Sequence, residues 1–383
     1  MVSLAGIYLL RMLGMYMVLP VLSLHAAELA GATPLMTGLA LGGYGLAQAA
    51  LQIPFGVWSD RFGRRRVISI GLLVFAGGSV IAATSGNVVW LVVGRIMQGA
   101  GGVSAAVVAL LADATRPGFR ARAMAIMGAS VGVAFAIGMI SGPSLAARYG
   151  VPFLFWLTAG LSVLAALWVV TGVPRPERHV HDASVEWTPG HLTEVLRNPG
   201  MLRVDLGAFF LHSHVTAMFV AGPQLLGRHI PLEDHGTVYL VLVPIGLVVM
   251  GLTAFFADRR GLLKQAVLGG VGCVGVSALF MVGGSSQLMP VAAAMGFTIL
   301  AVATAEPAAP SIVTHLANDN ARGTAAGLYH MCQFTGSFFG GLVGGYMIDR
   351  PEELGVLLFL GTVIWFALAS GLPSLGPEGQ PRD

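Results

Sequence analysis

The sequence predicts an all-α integral membrane protein with twelve transmembrane helices in two six-helix halves. Hydrophobic residues make up 55% of its 383 residues, charged residues only 10%, and the mean hydropathy is +0.79. A soluble domain carries about 25% charged residues, so there is too little charge here to cover a water-facing surface. Apolar runs recur along the chain, and one loop pattern appears twice.

Each predicted helix is an apolar run of roughly 20 residues or more, the length that crosses a hydrocarbon core about 30 Å thick. The polar segment 173–200 divides a first bundle, 1–172, from a second bundle, 201–373, and a short tail, 374–383, follows. The twelve runs are 3–24, 34–58, 66–85, 88–112, 121–147, 151–172, 201–226, 235–257, 263–283, 287–316, 322–347 and 353–372.

The positive charges predict the orientation of these helices. Sixteen of the 21 Lys and Arg residues fall in the tail, around the central linker, or in alternate loops beginning with the loop at 59–66, and only three fall in the opposite loops. Loops rich in Lys and Arg stay on the cytoplasmic side of a membrane. We therefore expect a multi-pass protein with both termini and the linker in the cytoplasm.

The loop between the second and third runs carries the most informative motif, Gly56-Val-Trp-Ser-Asp60-Arg61-Phe-Gly63-Arg64-Arg65-Arg66. Gly63 allows so short a turn, because glycine adopts positive φ without a Cβ clash. A weaker copy, Ala254-Phe-Phe-Ala-Asp258-Arg259-Arg260-Gly261-Leu-Leu-Lys264, follows at an offset of 198. Such repeats indicate duplicated units, which in transporters flank a site near the bilayer midplane. A loop that only orients the helices is the alternative.

The pattern G-x-x-x-D-R-x-G-R-R resembles the loop signature of the major facilitator superfamily. The stretches from Arg11 to Pro20 and from Gln48 to Gly56 are similar to those of bacterial drug:proton antiporters, most of all the YajR-type efflux transporters. The resemblance covers about residues 7–372. It implies the major facilitator fold, two pseudo-symmetric six-helix bundles in the bacterial inner (plasma) membrane, and proton-coupled export of small drug-like compounds by alternating access.

The resemblance also gives the loop a mechanical role. Asp60 would dock on the N-terminus of helix 11, whose first turn exposes N–H groups and a positive dipole end. In the family this loop is associated with the outward-open state, together with an arginine and an acidic residue at the end of helix 4; here Arg61 or Arg64 and Asp113 match. The predicted conformational latch comprises Gly56, Asp60, Arg61, Gly63, Arg64, Arg65 and Asp113.

Ionisable residues inside apolar helices are costly and therefore point to function. Glu306 is the strongest candidate for carrying a proton; Pro307 and Pro310 remove backbone donors beside it and should kink the helix. A structural pair with an arginine or histidine is the alternative. Histidines are included because they titrate near neutral pH. The proton-coupling candidates are Glu306, Arg95, Asp205, His212, His214 and His330.

Arg95 lies in Gly94-Arg95-Ile-Met-Gln98-Gly-Ala-Gly101, which resembles the helix-4 signature R-x-x-Q-G-x-G of the superfamily. In the family this arginine is associated with proton transfer. Because arginine stays charged, it can tune a carboxyl or hold an anion but cannot carry the proton itself. A structural network of the arginine with backbone groups is the alternative.

Aromatic and amide side chains in the apolar helices are the candidates for a substrate cavity. Such a lining would suit an amphipathic organic molecule, including a cation, and simple packing is the alternative. Arg11 is added because it resembles an arginine in helix 1 of the YajR-type transporters. The candidates are Arg11, Tyr44, Gln48, Gln52, Gln98, Phe135, Phe219, Gln224, Tyr329, Gln333 and Phe334.

Helix 5 carries glycines at small-x-x-x-small spacing, Gly128 with Gly132 and Gly138 with Gly142, which predicts close helix packing. The pair Gly142-Pro143 resembles the antiporter signature g-x-x-x-G-P, which is associated with export. The tail that follows, Ser144-Leu-Ala-Ala, departs from the usual x-G-G and leaves the direction of transport open.

Two other functions remain open: a proton symporter that imports a metabolite, and a membrane sensor that does not transport. A membrane enzyme is not favoured, because no nucleophile–base or metal constellation appears, and His179, His181, Asp182 and His191 in the linker match no closed metal site. The expected partners are membrane lipid, protons and a small-molecule substrate. We expect no cofactor, metal or nucleic acid, and a monomer.

Overall fold

A computed structural model describes residues 2–116, 119–173 and 189–376, with the side chains of Asp60, His191 and Asp319 among the few left undescribed inside these ranges. The described chain is helical, with one isolated β-bridge between Ala30 and Asn87. The helices are α1 (Val2–Val18), α2 (Leu22–Glu28), α3 (Pro34–Phe62), α4 (Arg64–Ala83), α5 (Val88–Ala100), α6 (Ser104–Asp113), α7 (Arg120–Tyr149), α8 (Val151–Gly172), α9 (Pro189–Arg197), α10 (Pro199–Gly227), α11 (His235–Phe256), α12 (Leu263–Gly284), α13 (Leu288–Leu316), α14 (Arg322–Tyr346) and α15 (Pro351–Ser370).

All twelve predicted runs coincide with helices. Within the described residues, eight helices are long and apolar enough to cross a membrane, or nine when the bent pair α1–α2 is taken as one span. The other three runs correspond to α3, to the pair α5–α6 and to α14. The prediction of an all-α membrane protein is thus confirmed.

Two runs predicted as continuous helices are broken. The run 3–24 bends by 51° between α1 and α2, where Pro20 cannot donate a helical hydrogen bond. The run 88–112 separates into α5 and α6 at residues 101–103, because glycines there give little support to a helix. Conversely, α13 stays one helix through Pro307 and Pro310.

The chain forms two compact units by its internal contacts. Unit 1 is Met1–Val180 with Ile230–Leu240, and unit 2 is His181–His229 with Val241–Asp383. Within unit 1, α1 packs on α7 and α4 packs on α5 and α8; within unit 2, α10 packs on α14 and α12 packs on α13 and α15. These pairings recur in the same order in the two units, as a duplicated bundle predicts; among the described residues, the packing of α3 on α5 has no comparable counterpart for α11.

Glycines bring the paired helices into backbone contact in both units. A Cβ added to Gly142 on α7 would collide with the Met17 carbonyl oxygen of α1, and one added to Gly340 on α14 would collide with the Ser213 carbonyl oxygen of α10. Membrane helices rely on such small residues for close approach. Each unit therefore holds its first and fifth helices together in the same way.

Candidate functional site

A polar network joins three helices inside unit 2, and Gln333 on α14 is at its centre. The Gln333 Nε2 atom donates to Glu306 Oε1 of α13 at 2.8 Å and lies 2.8 Å from His212 Nε2 of α10. The Gln333 Oε1 atom lies 2.8 Å from His330 Nδ1, three residues earlier on α14. Three of the proton-coupling candidates thus share one amide side chain.

The hydrogen bonds assign the proton positions in this network. His212 Nδ1 lies 3.1 Å from the Ala208 carbonyl oxygen, which can only accept, so the proton of the neutral ring is on Nδ1. His212 Nε2 then holds a lone pair that accepts from Gln333. The Nε2 atom is 3.6 Å from Glu306 Oε2, and the two side chains are 15% and 30% exposed. The carboxyl and the imidazole therefore lie side by side in a partly open site, joined through the Gln333 amide.

Asp205 is a second acid of unit 2 and is only 2% exposed. Neither carboxylate oxygen has a hydrogen-bond partner among the described residues, and the same holds for the Tyr329 hydroxyl. Gly336 of α14 packs against the Phe209 backbone of α10. Cys332 and Asp205, each one turn earlier on its own helix, therefore lie opposite each other. Tyr329 and Cys332 both interact electrostatically with Asp205. Asp205 thus faces the helix that carries Gln333.

His214 belongs to a different environment. Its Nε2 atom lies 3.0 Å from Ser277 Oγ and 3.2 Å from Thr298 Oγ1, and those two hydroxyls are 3.0 Å apart. All three side chains are buried. This arrangement fits a packing histidine, and the described contacts do not connect it to Glu306.

Arg95 is buried in unit 1 and bonds to neutral groups. Its Nε donates to the Ala40 carbonyl oxygen at 3.1 Å and its guanidinium donates to Gln98 Oε1 at 2.6 Å. Gln98 in turn donates to Ser79 Oγ at 2.7 Å, and the guanidinium lies 4.9 Å above the ring of Tyr44. The geometry matches the structural network that the sequence left open as the alternative.

Arg11 is the second buried arginine of unit 1. It donates to the Tyr44 hydroxyl at 3.0 Å and to Ser104 Oγ at 3.4 Å, and it lies 5.2 Å from the centre of the Phe75 ring. Tyr8 also donates to Ser104, at 3.1 Å. Tyr44 therefore bridges the two arginines, with its hydroxyl bonded to one and its ring beneath the other.

The remaining cavity candidates are distributed over both units. Phe135 meets Tyr16 edge to face at 5.1 Å, and Phe334 stacks on His330 at 6.3 Å. Gln48, Gln52 and Phe219 are buried, and Gln224 is half-buried on α10. Gln333, expected as a cavity residue, instead holds the Glu306 network together.

In the first loop, Arg64 pairs with Asp113 at the end of α6 at 2.6 Å, so Arg64 and not Arg61 occupies that predicted position. Arg61 is exposed and lies over Phe62. Gly63 has φ of 92° and forms the turn between α3 and α4, as its position in the motif requires. The Asp60 side chain lies outside the described residues, so the latch on helix 11 stays a prediction.

The predicted glycine ridge of helix 5 is only partly a contact surface. Gly138 and Gly142 approach the backbone of α1, and Pro143 lies inside α7. A Cβ on Gly128 would meet nothing within 4 Å. The expectation of close packing at Gly128 is therefore wrong, because this residue lies on a face of α7 that no other described element approaches.

Sequence reasoning missed Ser104 and the pair Asp258–His315. His315 Nε2 of α13 lies 3.0 Å from Asp258 Oδ1 in the second loop copy, and Ser311 Oγ donates to Asp258 Oδ2 at 3.3 Å. The repeated loop could have drawn attention to Asp258, but nothing in the sequence indicates its partners. No group of three or more metal-binding side chains occurs among the described residues; His179, His181 and Asp182 lie outside them.

Spanning helices, a duplicated bundle and ionisable groups held inside the spans define this chain as a membrane transport protein. The sequence matches the Major Facilitator Superfamily model over residues 4–341. The chain belongs to this superfamily, and it is a transporter and not an enzyme.

Its relatives and structural neighbours are transporters too. The chain is 37% identical to the inner membrane transport protein YajR of Escherichia coli (strain K12) over 96% of this chain and 82% of the relative. It is 28% identical to the multidrug resistance protein MdtH of Photorhabdus laumondii over 91% of this chain and 86% of the relative. The solved nucleoside transporter NupG has the same fold, with a TM-score of 0.76, 14% identity, and coverage of 96% of this chain and 98% of that one.

Proposed function

We propose that the protein is a secondary active transporter of the bacterial inner membrane that exchanges protons for small organic compounds and exports them by alternating access. The observation that carries this proposal is the Glu306–Gln333–His212 network. It is a titratable carboxyl hydrogen-bonded inside the spanning helices, where an ionisable group is too costly to keep without a use.

Proton binding at Glu306 would change the bonds that join three helices. Ionised Glu306 accepts the Gln333 amide hydrogen, and the same amide reaches His212. A proton on Glu306 Oε2 leaves Oε1 as an acceptor but removes the negative charge that strengthens its bond to the amide, and a proton on His212 Nε2 removes the second acceptor of the amide. Such a change in contacts between α10, α13 and α14 is the differential interaction that a population shift requires.

Export is favoured over uptake by two observations. The Gly142-Pro143 pair is similar to the helix-5 signature of antiporters, and MdtH, a relative, is named as a multidrug resistance protein. The excess of Arg and Lys in alternate loops supports an orientation with both termini and the linker in the cytoplasm.

The test uses everted membrane vesicles with an imposed proton gradient, a pH-sensitive dye and a panel of amphipathic compounds. Wild type and Glu306→Gln are compared, with Glu352→Gln as a matched control, because Glu352 is exposed on α15 of the same unit. We expect compound-evoked proton release from wild type and Glu352→Gln, and a loss of at least tenfold in Glu306→Gln, as for loss of an essential proton carrier.

Each other result has a definite meaning. Equal release from both variants would leave proton exchange standing and would move the proton site to Asp205 or a histidine. Proton-driven accumulation in right-side-out vesicles would reverse the direction and identify an uptake symporter. Compound binding without any flux would identify a sensor and overturn transport.

A further inference from the structure

The break in the fourth span exposes the start of a helix inside unit 1. α6 has ten residues and begins at Ser104, in the second half of the predicted run 88–112. The first four N–H groups of a helix have no partner within it and form its positive end. Broken membrane helices use such ends to hold anionic groups of their substrates.

A buried arginine is aimed at this helix end. Arg11 is 1% exposed, and it donates to Ser104 Oγ, on the first residue of α6, and to the Tyr44 hydroxyl. Its Nε atom is buried and has no hydrogen-bond partner among the described residues. One donor of a fork suited to carboxylate or phosphate is therefore unused.

The positive charge at this place is not balanced by a side chain. Residues 1–173 contain only three acids, Glu28, Asp60 and Asp113. Among the described side chains, no salt bridge reaches Arg11 or Arg95, and Asp113 is paired with Arg64. A buried charge without a counter-charge is costly, and a bound anion would supply one.

We propose that the N-terminus of α6, Arg11 and the hydroxyls of Ser104 and Tyr44 bind the anionic group, a carboxylate or phosphate, of the transported organic compound. Ser104 and Tyr44 are half-buried, so they give access to the guanidinium behind them. The proposal rests on the proposed function in taking the ligand to be the transported compound. It differs from the expectation of a cation that the aromatic and amide residues suggested.

Gln48 adds a second recognition element. A Cβ at Gly102, in the break, would lie 3.0 Å from Gln48 Cγ, so this side chain borders the same place. Gln48 Oε1 is buried without a partner among the described residues. It offers an acceptor to an N–H or O–H group of the ligand, next to the donors that hold the anion.

The test measures binding to the purified protein in nanodiscs without a proton gradient. The probes are dansylglycine, a fluorescent carboxylate, and dansylglycinamide, its neutral counterpart. We expect the carboxylate to bind at least ten times more tightly than the amide, and Arg11→Gln to reduce the ratio of the two affinities to about one. Arg11→Lys keeps the charge without the fork and should retain part of the preference.

The control is Arg148→Gln, which removes an exposed arginine of the same unit, on the last turn of α7, and should keep the full preference. Thermal unfolding of each variant verifies the fold. If Arg11→Gln does not fold, the test is the carboxylate preference of Arg11→Lys, which should be smaller than that of wild type. Equal binding of acid and amide to wild type would overturn the site. Displacement of dansylglycine by inorganic phosphate with equal affinity would assign the site to a free anion and overturn the organic ligand.

The binding result is independent of coupling. A carboxylate preference that depends on Arg11, together with no proton release in vesicles, would leave the anion site standing and overturn the proposed function. Proton release in vesicles with no carboxylate preference would leave the proposed function standing and overturn the anion site.

Discussion

The two units repeat one architecture but carry different charges inside it. Among the described side chains inside the spans, the buried arginines Arg11 and Arg95 lie in unit 1 and stay charged. The interior acids lie in unit 2, where Asp205 is buried and Glu306 is half-buried. Histidines occur in both units, and His235 at the start of α11 is buried in unit 1. The contrast is therefore between fixed positive charge in the first unit and carboxyl groups in the second.

The same difference recurs in the two copies of the loop. In unit 1, Arg64 of the loop pairs with Asp113 at the end of α6. In unit 2, Asp258 of the loop pairs with His315 near the end of α13. The pair joins the loop to the end of the corresponding helix in each unit, but the carboxylate meets an arginine in the first unit and a histidine in the second.

One contact is the same in both copies. Arg65 donates to the Val169 and Val170 carbonyl oxygens at the end of α8, and Lys264 donates to the Ser370 and Leu372 carbonyl oxygens at the end of α15. A cation at a helix C-terminus is favourable in any bundle. The duplicated units thus share the contacts that hold helices, and they differ where charge can change.

Replacing the central glutamine of each interior network by leucine should have the largest effect. Gln98→Leu removes one hydrogen-bond partner each from Arg95 and Ser79. Gln333→Leu removes one hydrogen-bond partner each from Glu306, His212 and His330. We expect each to lower the free energy of unfolding by about 2–3 kcal/mol, since one side of a bond to a charged group is lost. Chemical unfolding in detergent measures the loss.

Replacing the packing glycines by alanine should destabilise both units, because both rely on close contact between their first and fifth helices. Gly142→Ala and Gly340→Ala place a Cβ against the backbone of the partner helix, and each should cost about 1–2 kcal/mol by overpacking. Gly128→Ala is the control on α7. With nothing within 4 Å of its Cβ, it should be neutral or stabilise by up to about 1 kcal/mol through helix propensity. Unfolding curves should therefore show a lower free energy of unfolding for Gly142→Ala and Gly340→Ala, and an equal or higher one for Gly128→Ala.

Breaking the loop pairs should give a smaller effect in both units. Asp113 and Asp258 are 39% and 44% exposed, so water screens both pairs. Asp113→Asn and Asp258→Asn should each lower the free energy of unfolding by about 0.3–1 kcal/mol. Chemical unfolding in detergent measures the loss, and a loss well above 1 kcal/mol from either variant would contradict a screened surface pair.

Removing the capping cations should have the smallest effect. Arg65→Met and Lys264→Met should each cost a few tenths of a kcal/mol, about equally in the two units and independently of pH, because both lose a cation at a helix end. Thermal unfolding at low and high salt measures this, and the cost should shrink as salt screens the charge. A difference well above 1 kcal/mol between the two would show that the copies are not equivalent.

The elements of the site were predictable from sequence to different degrees. Glu306 stood out because a carboxyl in an apolar run is rare and costly, and the Asp60 loop stood out because it repeats. The role of Gln333 could not be predicted, because the sequence around a helical amide is the same whether the side chain packs, binds substrate or joins an acid to two histidines. Gly128 and Gly142 have the same spacing pattern, and only one of them meets a neighbour.

The sequence by itself determined the class, the twelve apolar runs that became helices, the repeat of the loop and the positions of the ionisable residues, because hydropathy and charge act locally along the chain. The tertiary structure decided which groups meet: His212 with Glu306 through Gln333, Asp258 with His315, and Arg11 with the first residue of α6. It also decided that the fourth span breaks at residues 101–103. Those outcomes depend on which helices lie side by side and in what register, and periodicity along one chain contains no such information.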